Sequence, residues 1–276
     1  MAKGITSVEG FVRKVFGMKK NDDETVFYRG HSNREKYLLA PAIFRTKEES
    51  AAEPIMFREL LIANAPDFRG DISTFEKLVR MQHYSLPTRL LDISTNPLIA
   101  LYFSCKSSPD STGEVIRFTV KRDEIKFFDS DTASCIANLA QLSDNDKKSI
   151  VYTGSKEQFN AQDPIRKLLH FIKEEKPYFK DAIIPDDLKR IICIRGKLSN
   201  TRILSQSGAF LIFGLDAVLP EAGNSDVTVD RITISAAEKK KIVGELDALA
   251  LNESTIFPYI ENSARYIASK YKPKKV

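Results

Sequence analysis

Residues 82–103 read QHYSLPTRLLDISTNPLIALYF, and the reading of this stretch decides the fold. Pro87 stops a preceding helix, because its ring removes an amide donor and clashes with the previous turn. Thr88 to Ser94 then reads as a strand, with Leu90, Leu91 and Ile93 as its apolar residues. Thr95-Asn96-Pro97 opens a helix from Leu98 to Cys105, with asparagine in the cap and proline in the first turn. His83, Thr88, Arg89, Asp92, Ser94 and Asn96 are embedded among these apolar residues. A buried arginine or aspartate is costly unless it is paired or hydrogen-bonded, so such groups mark a site or a structural ion pair.

Working outward, Ser7 followed by Val8, Phe11, Val12, Val15 and Phe16 predicts an opening helix. Asn21-Asp22-Asp23 breaks it, and Thr25 to Gly30 reads as a short strand. Residues 31–50 read as a polar loop, and Pro54 to Ala65 as a helix with proline in its first turn. Ser73-Thr74-Phe75-Glu76 has capping-box spacing and starts a helix ending near Tyr84. Downstream, strands are expected around residues 115–120, 191–195, 209–213 and 227–234. Helices are expected from Ser235 to Leu251 and from Pro258 to Tyr271. Residues 123–190 are mainly helical and charged, a helical insertion or covering layer within a single domain spanning 1–276. The five or six strands do not alternate regularly with helices. The fold class is therefore α/β (α+β), with mixed small sheets and surrounding helices. A doubly wound dinucleotide fold is disfavoured, and neither G-x-G-x-x-G nor a Walker loop occurs.

The 276 residues are 42% hydrophobic and 29% charged, with no Trp, 17 Phe and 9 Tyr, enough apolar volume for a substantial core. No apolar run reaches the roughly 18 residues needed to span a bilayer, and the amino terminus lacks the apolar segment of a signal peptide. The expected location is cytoplasmic, with no membrane partner. Cys105, Cys135 and Cys193 are far apart and read as buried thiols. No histidine, cysteine or carboxylate spacing suggests a metal. The net charge of +5 comes partly from Lys239-Lys240-Lys241 and a lysine-rich tail, read as solvated.

Arg29, at a strand end beside Gly30 and His31, suits bidentate capture of a phosphate or carboxylate. The bland reading is an arginine holding an acidic side chain at the sheet end. His83 reads as a helix-end cap or a general base. Arg89 and Asp92 read as a mutual salt bridge or as ligand contacts. Arg202 and Gln206 stand four apart before Ser207-Gly208, close enough to share one polar cleft if helical.

Taken together, Tyr28-Arg29-Gly30-His31, Gln82-His83-Tyr84, Pro87 to Asp92, Asn96-Pro97 and Ala100 to Phe103 resemble the FRG-domain family of bacterial and phage-associated proteins. Tyr28 stands where the family's eponymous motif has phenylalanine. The resemblance extends from about Val26 to Ile260, including Arg202 to Phe210 and Ile256-Phe257-Pro258. The order of motifs is also similar to ADP-ribosyltransferases, which hold NAD in a cleft between two small sheets. That resemblance implies NAD as a substrate, with Arg29 on its diphosphate and His31 on the adenosine ribose. Thr88 or Ser94 would lie at the nicotinamide, and Gln206 near the position of the family's glutamate. The implied cofactor-binding set is Arg29, Gly30, His31, Thr88, Arg89, Ser94 and Arg202, and the implied catalytic set is Gln206, Asp92 and His83. Gln206 carries no charge, so either Asp92 supplies the carboxylate or the module binds without turnover. The implied roles are a toxin or phage-defence effector modifying a protein or nucleic-acid acceptor, or a nucleotide- or protein-binding sensor. A hydrolase using His83 and Asp92 lacks any recognisable nucleophile.

Overall fold

The computed structural model describes residues 4–197 and 208–271. Its seven strands form one sheet: β1 (Glu24–His31), β2 (Leu90–Ser94), β3 (Gly113–Lys121), β4 (Lys126–Phe127), β5 (Ile191–Arg195), β6 (Gly208–Phe213) and β7 (Thr228–Ile234). The order is β4-β5-β6-β2-β1-β3-β7, antiparallel throughout except for β4 with β5. The expected small sheets are thus joined, but barely. β1 pairs with β3 over eight positions and β2 with β6 over five. The join between β1 and β2 is the single pair Tyr28↔Ser94. Beyond it the two strands diverge, and the sheet opens.

Strand alternation builds two different faces. On one face, Leu90, Ile192, Ile194, Phe210 and Ile212 pack under α2 (Lys47–Ala63), α3 (Thr74–His83) and α5 (Asp131–Asn138). On the same face of the other half, Tyr28, Val115, Ile232 and Ile234 pack under α1 (Val8–Phe16), α4 (Pro97–Cys105) and α9 (Lys239–Ala248). Two helical packs therefore flank the opening. The opposite face carries Phe27, Leu91, Ile93, Ile116, Phe118 and Leu211, covered by loop residues such as Leu39 and Leu219.

Glycine sets the position of α4. A Cβ at Gly30 would lie 1.9 Å from the carbonyl oxygen of Ala100, and one at Gly113 would lie 2.5 Å from that of Ser104. The backbone of α4 rests directly on β1 and β3, which only glycine permits. Asn96 caps this helix, its side chain accepting from the Leu98 amide at 2.9 Å.

Residues 123–190 are largely helical, as expected. α7 (Lys156–Asn160) and α8 (Asp163–Glu175) share an apolar cluster with Cys135 and Leu139, and Leu142 and Ile150, which flank α6 (Asp144–Ser149), join it. The opposite side of α5, Ala133, Ile136 and Ala137, belongs to the sheet core, so α5 is a wall common to both. α10 (Glu253–Ile256) and α11 (Ile260–Lys270) complete the described chain.

Three expectations change. The second helix begins at Lys47 and has Pro54 inside it, because Thr46 caps it by accepting from the Glu49 amide. The strands number seven, the extra one being the two-residue β4. Lys239 is buried, its ammonium donating to the carbonyls of Ser32 at 2.5 Å and Ser108 at 2.9 Å. It ties α9 to the segments following β1 and α4. The three cysteines are buried and free, and burial pushes Cys135 and Cys193 up to about 12. No described helix is long and apolar enough to cross a membrane.

Candidate functional site

The opening between β1 and β2 holds a cavity of about 250 Å³. Its floor is Tyr28, Arg29, Asp92 and Ser94, with His83 on one side and Ile99, Ala100 and Phe103 of α4 on the other. Gly208, Ala209 and Phe210 of β6 close the remaining wall.

Arg29 reaches across the opening. Its Nη1 donates to the backbone carbonyl of Asp92 at 2.6 Å, a side chain bonding where the neighbouring strand has moved away. Its Nε donates to Nε2 of His31 at 3.3 Å. That bond fixes the tautomer: Nε2 accepts, so the proton sits on Nδ1 and points to Glu114 Oε1 at 3.2 Å. Glu114 is fully buried and also receives Arg231 Nη1 at 2.7 Å. Burial holds His31 below its ordinary value of 6.5, opposed by the Glu114 hydrogen bond and aided by the Arg29 charge. Burial alone would raise Glu114, but the bonds from His31 and Arg231 reverse this and hold it low.

A guanidinium has five N–H groups. Among the described residues, two of Arg29's meet protein atoms and three meet none. Among the described arginines that are buried or half-buried, Arg80, Arg89, Arg117, Arg190 and Arg231 each pair with a carboxylate. Among the described residues, no carboxylate lies within ion-pair distance of Arg29. Burial pushes its pKa down, the Asp92 charge resists, and the Arg45 charge adds to the fall. A desolvated cation held by one carbonyl and one neutral imidazole is poised for an anion.

Asp92 is fixed from the other side. Its Oδ2 accepts from Gln82 Nε2 at 2.8 Å, and the Gln82 amide oxygen accepts from the buried hydroxyl of Thr88. Gln82 Nε2 also reaches the carbonyl of Leu90 at 3.2 Å. Thr88 thereby aims Asp92 through Gln82, without lining the cavity itself.

Of the residues expected at the site, the fold gathers Arg29, Gly30, His83, Asp92 and Ser94 around one cavity. Gly30 is there through helix packing on its missing side chain. Ser94 is buried, and its Oγ accepts from the Asn96 amide at 3.0 Å. His31 lies behind Arg29 and does not line the cavity, so it orients the guanidinium. Arg89 is a correction. It is 1% exposed, and Glu53 accepts from it at 2.5 and 2.9 Å, while Nη1 reaches the Phe213 carbonyl at 2.9 Å. Lys147 of α6 joins Glu53 at 2.6 Å. Arg89 therefore neither pairs with Asp92 nor faces a ligand. Arg202 and Gln206 lie outside the described residues. Glu114, Gln82, Phe103 and Phe210 are components the sequence reading did not assign to the site. Gln82, Phe103 and Phe210 stand within the motifs that carry the resemblance, whereas nothing around Glu114 signalled it.

No group of three or more potential metal ligands occurs among the described residues. Residues 24–113 match the family model described as FRG domain. The match covers a narrower range than the Val26 to Ile260 of the expected resemblance. The matched range includes Arg29, His31, His83, Asp92, Ser94 and α4, but not the β6 wall. Comparison with curated proteins and with solved structures gave no match.

Proposed function

We propose that the opening between β1 and β2 takes NAD and that the chain is an ADP-ribosyltransferase-like effector of bacterial conflict or phage defence. The supporting observation is Arg29, a half-buried cation that forms no ion pair among the described residues, beside Asp92 in a cavity lined by Tyr28, Phe103 and Phe210. The cavity suits the nicotinamide and its ribose rather than a whole dinucleotide, given the usual size of ligand pockets. Aromatic walls offer faces for a planar ring, and the free guanidinium donors suit the diphosphate.

In this reading the bond between nicotinamide and ribose breaks, and its electron pair leaves with nicotinamide. Positive charge develops on the ribose, and the carboxylate of Asp92, held by Gln82, stabilises it. The acceptor's nucleophile adds to the same carbon and loses a proton, for which His83 is the nearby base.

One observation favours a second reading, a nucleotide-binding sensor without turnover. Asp92 is the sole carboxylate lining the cavity among the described residues, and one of its oxygens is already bonded. Titration calorimetry with NAD, followed by chromatographic assay of nicotinamide release, separates the two. Binding with release supports the transferase, and binding without release supports the sensor. Neither binding nor release, in the presence of candidate protein and nucleic-acid acceptors, removes both.

A further inference from the structure

Arg29 and Asp92 also line a second cavity of about 190 Å³. Arg45 stands on its wall, together with Gln82 and the turn Ser85-Leu86-Pro87. Arg45 follows the 3₁₀ turn Ala42–Phe44, and its amide donates to the Ala42 carbonyl at 3.1 Å. Ile43 within that turn is fully buried, so the base of Arg45 is held firmly. The Arg45 side chain is exposed and forms no ion pair among the described residues, yet its charge acts on Arg29. Ser85, also on the lining, has φ 68° because it ends α3 in a left-handed cap, its amide donating to the Gln82 carbonyl and that of Leu86 to the Met81 carbonyl, both at 3.0 Å.

We infer that Arg29 and Arg45 form a phosphate subsite, so that a phosphorylated ribose lies in the second cavity while the rest of the ligand enters the first. Two guanidinium groups and one carboxylate leave a net charge of +1 at the cavity. A bare anion meets both attraction from the arginines and repulsion from Asp92. A phosphate ester with a neighbouring hydroxyl satisfies all three, its phosphoryl oxygens accepting from the arginines and its hydroxyl donating to Asp92. The inference deepens the reading of an NAD site and rests on it for the occupant of the first cavity.

The test is calorimetric titration of inorganic pyrophosphate, NAD and phosphate-free nicotinamide riboside into the whole chain and its variants. Arg45→Ala should weaken pyrophosphate and NAD about tenfold or more, the loss of a charge-assisted bond pair, and leave nicotinamide riboside within about twofold. Arg45→Lys should fall between, because it keeps the charge and loses the fork. Asp92→Asn should tighten pyrophosphate, which has no hydroxyl for the carboxylate to accept. The melting midpoint of Arg45→Ala should match that of the unaltered chain, since this side chain bonds to none of the described residues. Absence of pyrophosphate binding, or equal binding with and without Arg45, overturns the subsite. NAD turnover indifferent to Arg45 overturns the subsite and leaves the transferase reading. Arg45-dependent pyrophosphate binding without NAD binding supports the subsite and ends the nicotinamide reading.

Discussion

Arg29 and Arg89 sit near opposite ends of one short stretch of sheet, and their surroundings differ in every respect that decides function. Arg89 is closed. Glu53 binds it on two nitrogens, Lys147 balances the acid, and the Phe213 carbonyl takes another donor. Arg29 has a carbonyl and a neutral histidine, keeps three donors that meet no described residue, and lines two cavities. A buried ion pair is weak evidence of a stability gain, but removing one partner leaves the other charge stranded. The closed site should therefore register in folding and the open one in binding.

The largest effect is expected from Gly30→Ala, which forces a Cβ to 1.9 Å from the Ala100 carbonyl oxygen. β1 and α4 must separate, and the altered chain should lose several kcal/mol of stability, about as much as other large core insults. A melting midpoint equal to the parent's would mean that α4 does not rest on β1 as described.

Glu53→Gln comes next. It strands Arg89 and Lys147 without their carboxylate and should cost about 3–5 kcal/mol in denaturant unfolding. Glu53 itself is held low, burial's upward push being outweighed by Arg89 and Lys147. Its contribution is therefore present above the ordinary carboxylate range and is lost as pH falls through its depressed value. Arg29→Ala should cost less than about 1 kcal/mol of stability, since it breaks no ion pair, while removing NAD or pyrophosphate binding. Comparable destabilisation by Glu53→Gln and Arg29→Ala would erase the contrast.

The smallest effect concerns pH. Nε2 of His31 accepts from Arg29 only while the ring is neutral, and the groups facing it are Glu114, Arg29, Arg231 and the Tyr37 ring. Because the folded-state value is depressed below 6.5, the neutral arrangement is complete above that pH and is lost as pH falls through the lower value. Ligand affinity should be level above about 6.5 and decline below it. Affinity that rises steadily on acidification would contradict the assigned tautomer.

The segment 82–103 conveyed much of this. Its proline, capping asparagine and apolar alternation placed α3, β2 and α4, and its polar residues supplied His83, Asp92 and Ser94. Local signals of this kind are legible because cause and effect lie within a few residues. Pairings across long separations were not. Glu53 lies 36 positions from Arg89, and Glu114 lies 83 from His31, and nothing in either neighbourhood names the other. The same distance hid Arg89's structural role, which looks identical to a ligand contact until Glu53 is seen beside it. Gly30 read as an open backbone near a ligand, although its main demand is the helix lying against it.

The central claim is that Arg29 is left without a carboxylate so that a ligand's anion can take that place. Titration of NAD into the parent chain and into Arg29→Ala, each with its melting curve, tests it most directly. The account predicts binding by the parent, loss of at least about a hundredfold in the variant, in the range of a buried charge-assisted contact, and nearly coincident melting curves. Equal affinity in the two proteins, or a melting loss matching that of Glu53→Gln, would show that Arg29 is one more structural arginine.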